Sequence, residues 1–193
     1  SASLFDGAQK PTDFARRIDE LGMSGAAITD HGVCYGWPNF QSACDDIGIQ
    51  PVLGVESYLV EDRDEINRLR EKSSVARTEM EDTILKTAYH QVLLAKTQKG
   101  LRNLMALMSW AAGEGFYRKP LIDFAKLEGH AEGLIATSSC LQGLIPQIAL
   151  GGGRFSLLSK RERRKKTAHV TETYLDLFGD DFYLEAHRHG IEA

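Results

Sequence analysis

The chain has 193 residues, 42% hydrophobic and 26% charged, a balance that supports a buried core and excludes a disordered polypeptide. A formal net charge of −4 gives no global attraction to nucleic acid, so any such contact must come from a local basic patch. No stretch is apolar for long enough to cross a bilayer and no basic segment leads into an apolar run, so no membrane partner and a cytoplasmic location are expected.

Helical and strand-like segments alternate, the pattern of an α/β fold with a largely parallel sheet. Pro11 opens a first helix with Phe14, Ile18 and Leu21 on one face, and Gly22 ends it before the strand-like Ala26-Ala27-Ile28-Thr29. Pro38 opens a second, carrying Phe40, Ala43, Cys44 and Ile47; Gly48 stops it, and Pro51 to Glu56 reads as the next strand. Residues 61–88, densely charged as far as Asp82, read as an exposed helical or partly mobile insertion. The core pattern resumes with the strand Val92-Leu93-Leu94-Ala95 and a helix whose Leu101, Leu104, Met105, Leu107 and Met108 form a buried stripe. Gly133 to Ser139 is a further strand. Gly151-Gly152-Gly153 lacks the GK[ST] of a phosphate loop and reads as a flexible turn. Lys160 to Lys166 is a basic run on a helix, read as a solvated face, and Phe182 to Glu185 is a last strand.

Five side chains of metal-ligand type are scattered along this pattern: Asp6 in LFDGA, His31 in TDHG, Glu56 in GVE, His90 in YHQVLLA and Cys140 in SSCL. Only a fold that returns repeatedly to one place could gather them, as strand ends at a barrel mouth do. His31 follows a strand and could give an imidazole nitrogen to a metal; Asp30 beside it could orient a ring or cap the turn. Glu56 lies in a strand apolar on both faces, where a carboxylate needs a positive partner, although an outward-facing position is the alternative; Gly54 permits close approach of backbone or ligand. Cys140 at a strand end suits zinc, a nucleophile beside a base, or plain burial. His90 precedes its strand, which in a simple parallel barrel is the wrong end. Cys34, Cys44 and Cys140 form no CxxC pair and leave one over, so reduced thiols are expected, with Cys44 in the core.

In order, LFDGA, TDHG, GVE, YHQVLLAKTQKGLRNLMAL, EGFYRKPLID, EGLIATSSCLQGLIP and FGDDFYLEAHRHG resemble the successive motifs of the PHP (polymerase and histidinol phosphatase) domain. The version they resemble stands at the N-terminus of the alpha subunit of bacterial DNA polymerase III. The resemblance implies a distorted TIM-like (βα)7 barrel with up to three divalent metal ions, zinc first and manganese or magnesium as alternatives, at the C-terminal face of its strands. It assigns Asp6, His31, Glu56, His90 and Cys140 as ligands and leaves His187 a non-ligand. The family's HxH pair before LFDGA and its Asp-x-His after the HG segment have no counterpart in residues 1–193, so the chain reads as a PHP domain fragment truncated at both ends.

The function implied is part of a replicative DNA polymerase, a nucleotidyltransferase, with a metal-dependent 3′→5′ exonuclease or phosphoesterase site and no palm. DNA, a proofreading exonuclease subunit and other replisome subunits are the implied partners. Two rival readings are a stand-alone PHP phosphatase acting on a small phosphate ester and a metal-free docking domain.

Overall fold

In the computed structural model of the protein, residues 9–187 are described. Pro11 fixes the first turn of α1 (Pro11–Glu20), and the chain turns through Gly22 into β1 (Gly25–His31). Then come α2 (Trp37–Asp45), β2 (Gln50–Leu59), α3 (Arg63–Glu71), α4 (Glu79–Lys86), β3 (Tyr89–Ala95), α5 (Gln98–Ala112), β4 (Phe116–Tyr117), β5 (Lys119–Ile122), α6 (Phe124–Glu128), β6 (Leu134–Thr137), α7 (Leu144–Leu150), α8 (Lys160–Phe178) and β7 (Phe182–Tyr183).

The sheet runs β4-β5-β2-β3-β6-β7, with β1 also on β2. Because β3 takes one edge of β2 from Gly54 to Leu59, β1 and β5 share the other: β1 along Gln50 to Glu56, β5 at Tyr58 and Leu59. The sheet is mixed, which corrects the largely parallel expectation. β3 runs antiparallel to both β2 and β6, whereas β1-β2, β2-β5 and β6-β7 are parallel. Alternating helices and apolar strands fix the layers but not the direction of each strand, and the long connection through α3 and α4 lets β3 return reversed. Among the described residues the sheet does not close into a barrel.

The main core lies between this sheet and α5, α7 and α8, with Val55, Leu59, Leu93, Leu104, Leu107, Ile122, Leu134, Ile148 and Tyr174 buried. A second cluster packs Ala15 and Ile18 of α1 on Phe40, Ala43 and Cys44 of α2. Leu21, expected on the buried face of α1, is exposed because the helix ends at Glu20, and Met105 of α5 is likewise exposed. Gly54 needs its missing side chain for the fold: a Cβ there would lie 2.4 Å from Leu94 Cδ2 and 2.7 Å from the Leu93 carbonyl oxygen, so neighbouring strands, not a ligand, make the close approach.

The charged segment after β2 is an ordered pair of helices with its own core. Ile66, Leu69, Ile84 and Leu85 bury against Val60 and Leu121, and Ser73 and Arg77 flank a short 3-10 turn between the helices. Asp62 caps α3, and Thr78 with Glu81 forms a reciprocal capping box on α4. Arg154 bonds Glu65 at 3.1 Å, and Lys166 of α8 bonds Glu61 at 2.5 Å, so part of the basic run fastens α8 to this pair instead of facing solvent. The glycine turn is defined as well: Gly151 takes the left-handed cap of α7 and Gly153 opens a short 3-10 turn.

One buried polar network ties three strands of the sheet to α8. The Gln91 side chain donates to the Val92 and Thr137 carbonyls at 2.9 Å and accepts from the Tyr174 hydroxyl, while Ser57 donates to the Gln91 carbonyl at 2.9 Å. Replacing Tyr174 by Phe leaves a buried acceptor without its donor. The expected loss is about 1–2 kcal/mol, read by urea denaturation; an unchanged midpoint would refute a supporting role for this bond.

Candidate metal centre

Strand alternation and strand direction together assemble the site. His31, the last residue of β1, lies in register with Glu56 of β2, and Tyr58, two residues on, shares the face of Glu56 and is in register with His90 of β3. Because β3 is antiparallel, its first residues stand beside the end of β2. His90 therefore reaches the same end of the sheet as His31 and Glu56, and the objection that it precedes its strand falls away.

Glu56 is the centre of the cluster. Its Oε1 lies 2.9 Å from His90 Nδ1, and its Oε2 is in contact with His31 Nδ1. Burial pushes the Glu56 carboxyl up, but the hydrogen bond and charge of His90, with those of His31, outweigh this and hold it below the ordinary carboxylate range. Cys140 completes the group from the loop after β6: its Sγ is 3.5 Å from His90 Nδ1 and accepts the Gln142 backbone N–H at 3.4 Å. That loop is clamped to the start of β3, where the His90 N–H donates to the Gln142 carbonyl at 3.0 Å. It is also strained, since buried Ser139 has a φ of 59°, which costs a non-glycine residue roughly 1–2 kcal/mol.

One ligand atom each from Glu56, His90 and Cys140 lies within 4.8 Å of the others. Donors held 2.0–2.3 Å from one zinc ion stand roughly 3–4 Å apart, and a mixed O, N and S set is one that zinc accepts, so these residues fit such an ion. His31 joins through the second oxygen of Glu56. Asp6 and His189 lie outside the described residues. His187 is not in the three-donor group; its Nε2 lies 2.6 Å from Glu185 Oε2.

Supporting residues that sequence reasoning missed surround the donors. The Tyr58 ring stands edge-on to the His90 ring with centroids 5.8 Å apart. Period-two alternation from Glu56 was the signal that could have found it. Gly32 adopts a φ of 63°, and a Cβ there would lie 2.9 Å from both Tyr58 Cε2 and Pro120 Cγ, so only glycine lets the His31 turn sit this close. Asp30 caps the turn, its Oδ2 accepting the Gly36 N–H at 3.2 Å. Burial, then the nearby Asp30 charge, push the Cys34 thiol up to about 12, and burial also raises that of Cys44; neither offers a ready thiolate.

The sequence profile of the PHP domain matches residues 1–189. The chain belongs to the PHP domain family. Within it, the chain is 36% identical to the DNA polymerase III subunit alpha of Borreliella burgdorferi over 190 residues, covering 98% of this chain and 15% of that protein. It is 37% identical to the same subunit of Helicobacter pylori strain J99, over 98% of this chain and 14% of that one. For Aquifex aeolicus the values are 35%, 98% and 15%. This PHP chain thus spans 14–15% of the length of these relatives. A solved structure of a candidate metal-dependent phosphoesterase from Bifidobacterium adolescentis aligns with a TM-score of 0.41 and 15% identity, over 92% of this chain and 83% of that one, a likeness too low to carry argument. No helix among the described residues is long and apolar enough to cross a membrane.

Proposed function

We propose that this PHP domain holds divalent metal, zinc first, through Glu56, His90 and Cys140, with His31 and Asp6 as further ligands, and hydrolyses phosphoesters as part of a DNA polymerase III alpha subunit. The convergence of three donor atoms of different elements at one end of the sheet carries the reading. Metal bound there would polarise a phosphoryl oxygen and make hydroxide available at neutral pH.

The chain's own residues supply the order. Glu56 divides its two oxygens between His31 and His90 and so fixes both rings. Tyr58 limits the swing of His90, and the Gln142 N–H stabilises negative charge on the Cys140 sulfur. DNA is the substrate class that the relatives' name suggests, with 3′→5′ removal of nucleotides as the reaction. A proofreading exonuclease and other replisome subunits, in the cytoplasm, are the partners of the same reading. It extends to the fold: additional strands beside β1 and β7 would complete a TIM-like barrel.

Elemental analysis and hydrolysis of 3′-labelled single-stranded DNA test the reading. At least one zinc per chain, with cleavage lost on chelation, is expected; fewer than one bound metal would instead favour a docking role. A second measurement isolates Cys140. Zinc is expected to slow its alkylation by iodoacetamide about ten-fold or more, whereas Cys34 and Cys44 react slowly with or without metal. Equal Cys140 rates in both states would remove it from the ligand set.

A further inference from the structure

The chain is acidic overall, yet four cations from three separate segments gather beside the metal centre. Arg70 lies in the last turn of α3, Lys86 ends α4, Arg118 is the turn between β4 and β5, and Lys119 opens β5. All four are exposed. The Tyr117 ring lies between two of them, with the Arg70 guanidinium 4.7 Å and the Arg118 guanidinium 5.5 Å from its centroid. Lys86, Thr87, Arg118 and Lys119 line a cavity of about 210 Å³. No carboxylate among the described residues forms an ion pair with any of the four; Arg102, Lys126, Lys160, Arg161, Arg164 and Lys165 are also outside the ion pairs, but only these four converge from three segments on one cleft. Like charges gathered without counter-charges oppose folding, so packing does not account for the arrangement.

Its direction is informative. Lys119 Nζ stands 4.2 Å over the Tyr58 ring, and Tyr58 in turn meets His90, so the basic cleft reaches the donor cluster across one side chain. Arg118, the single residue between β4 and β5, has a φ of 60°, in the left-handed region that residues with a side chain seldom adopt.

We infer that Arg70, Lys86, Arg118 and Lys119 form a binding track for the phosphate backbone of a single nucleic-acid strand leading to the metal centre. Spaced cations on a shallow cleft suit a series of phosphates, and Tyr117 serves as a scaffold for two guanidinium groups, since both lie within cation–π distance of its ring. The inference takes its orientation from the phosphoesterase reading, but binding itself needs no metal.

The test is fluorescence anisotropy with labelled oligothymidylate in EDTA, across a salt series. Lys86→Gln/Arg118→Gln/Lys119→Gln is expected to weaken binding at least about ten-fold at moderate salt and to reduce the slope of log affinity against log salt by about 2, because each lost phosphate contact on a single strand removes about 0.7. Lys160→Gln/Arg161→Gln/Arg164→Gln removes the same charge from α8 and is expected to leave binding unchanged. Wild-type binding by the cleft variant, or equal weakening by the α8 variant, would overturn the track. Competition by inorganic phosphate at the oligonucleotide's own phosphate concentration would overturn it in favour of a single-anion pocket. If the cleft variant alone loses binding while the wild-type protein cleaves nothing, the track stands and the phosphoesterase reading fails.

Discussion

Replacing Glu56 by glutamine is expected to lower zinc affinity by about 100-fold or more, since loss even of a residue that only supports a metal ligand costs 10–100-fold, and, on the proposed phosphoesterase reading, to take DNA cleavage with it. The substitution keeps the side chain's volume but leaves one oxygen where two were, and that carboxylate serves both histidines: His90 on Oε1 and His31 on Oε2. An amide cannot accept from both rings, and one of its groups becomes a donor facing a donor. Competition against a chromogenic chelator reads the affinity. Retention of zinc at the wild-type level would show that Glu56 is not a ligand. The metal-free chain offers a second reading of the same contacts. The Glu56 carboxyl is held below its ordinary value of 4.5, so its contribution to stability is complete above that value and is lost as the pH falls through the lowered one. The gap in thermal stability between wild type and Glu56→Gln should therefore close on acidification below 4.5. A gap that widens there would contradict the pairing.

What the sequence revealed of the fold depended on whether the signal was local. Pro11, Gly22 and the apolar run Val92 to Ala95 act within a few residues, and their elements are where the pattern puts them. Strand direction is different, since nothing in YHQVLLA distinguishes a strand entering a sheet from either end. The antiparallel β3 was thus invisible, and with it the reason that His90 stands among the donors. The charged segment after β2 was legible as helical but not as a packed unit. Its local signals were present in Thr78-x-x-Glu81, a capping box that marks an ordered helix, but dense charge hid the four apolar residues, Ile66, Leu69, Ile84 and Leu85, that bury there.

The site divides along the same line. The candidate ligands His31, Glu56, His90 and Cys140 were named through the ordered series of motifs, since none was decisive singly, whereas the order around them was not legible. Tyr58, the strained Ser139 and the Gln142 N–H act through tertiary contact. The basic cleft is the extreme case. Lys160 to Lys166 is the conspicuous run of charge, but Lys166 is engaged with Glu61 and lies over the Phe155 ring. Arg70, Lys86 and Arg118-Lys119 come singly or in pairs from separate segments, a concentration that only folding produces.

Leu93→Ala is expected to be among the most damaging single substitutions away from the donors. Leu93 is fully buried in the middle of β3, in register with Val55 of β2 on one side and Ala136 of β6 on the other. The small Ala136 means that no flanking side chain can lean far into the space that would be vacated, and hydrogen bonding to both neighbouring strands prevents β3 from moving into it. Truncation of a leucine in such a position costs about 3 kcal/mol within a usual range of 2–5, against a total stability of roughly 5–15 kcal/mol for a domain. The unfolding temperature should fall by about 10 °C, since 1 kcal/mol corresponds to about 2–4 °C at this chain length. Leu94→Ala, one residue on and only half-buried on the opposite face, should cost distinctly less. The consequence for the metal centre separates stability from chemistry: His90 is held by the Gln142 carbonyl and the Tyr58 ring, not by Leu93, so Leu93→Ala should bind zinc normally at low temperature. Urea denaturation together with zinc titration at 10 °C or so tests both halves; a loss below about 1 kcal/mol would show that the core around β3 collapses freely, and weakened zinc binding in the folded variant would show that the site depends on this packing after all.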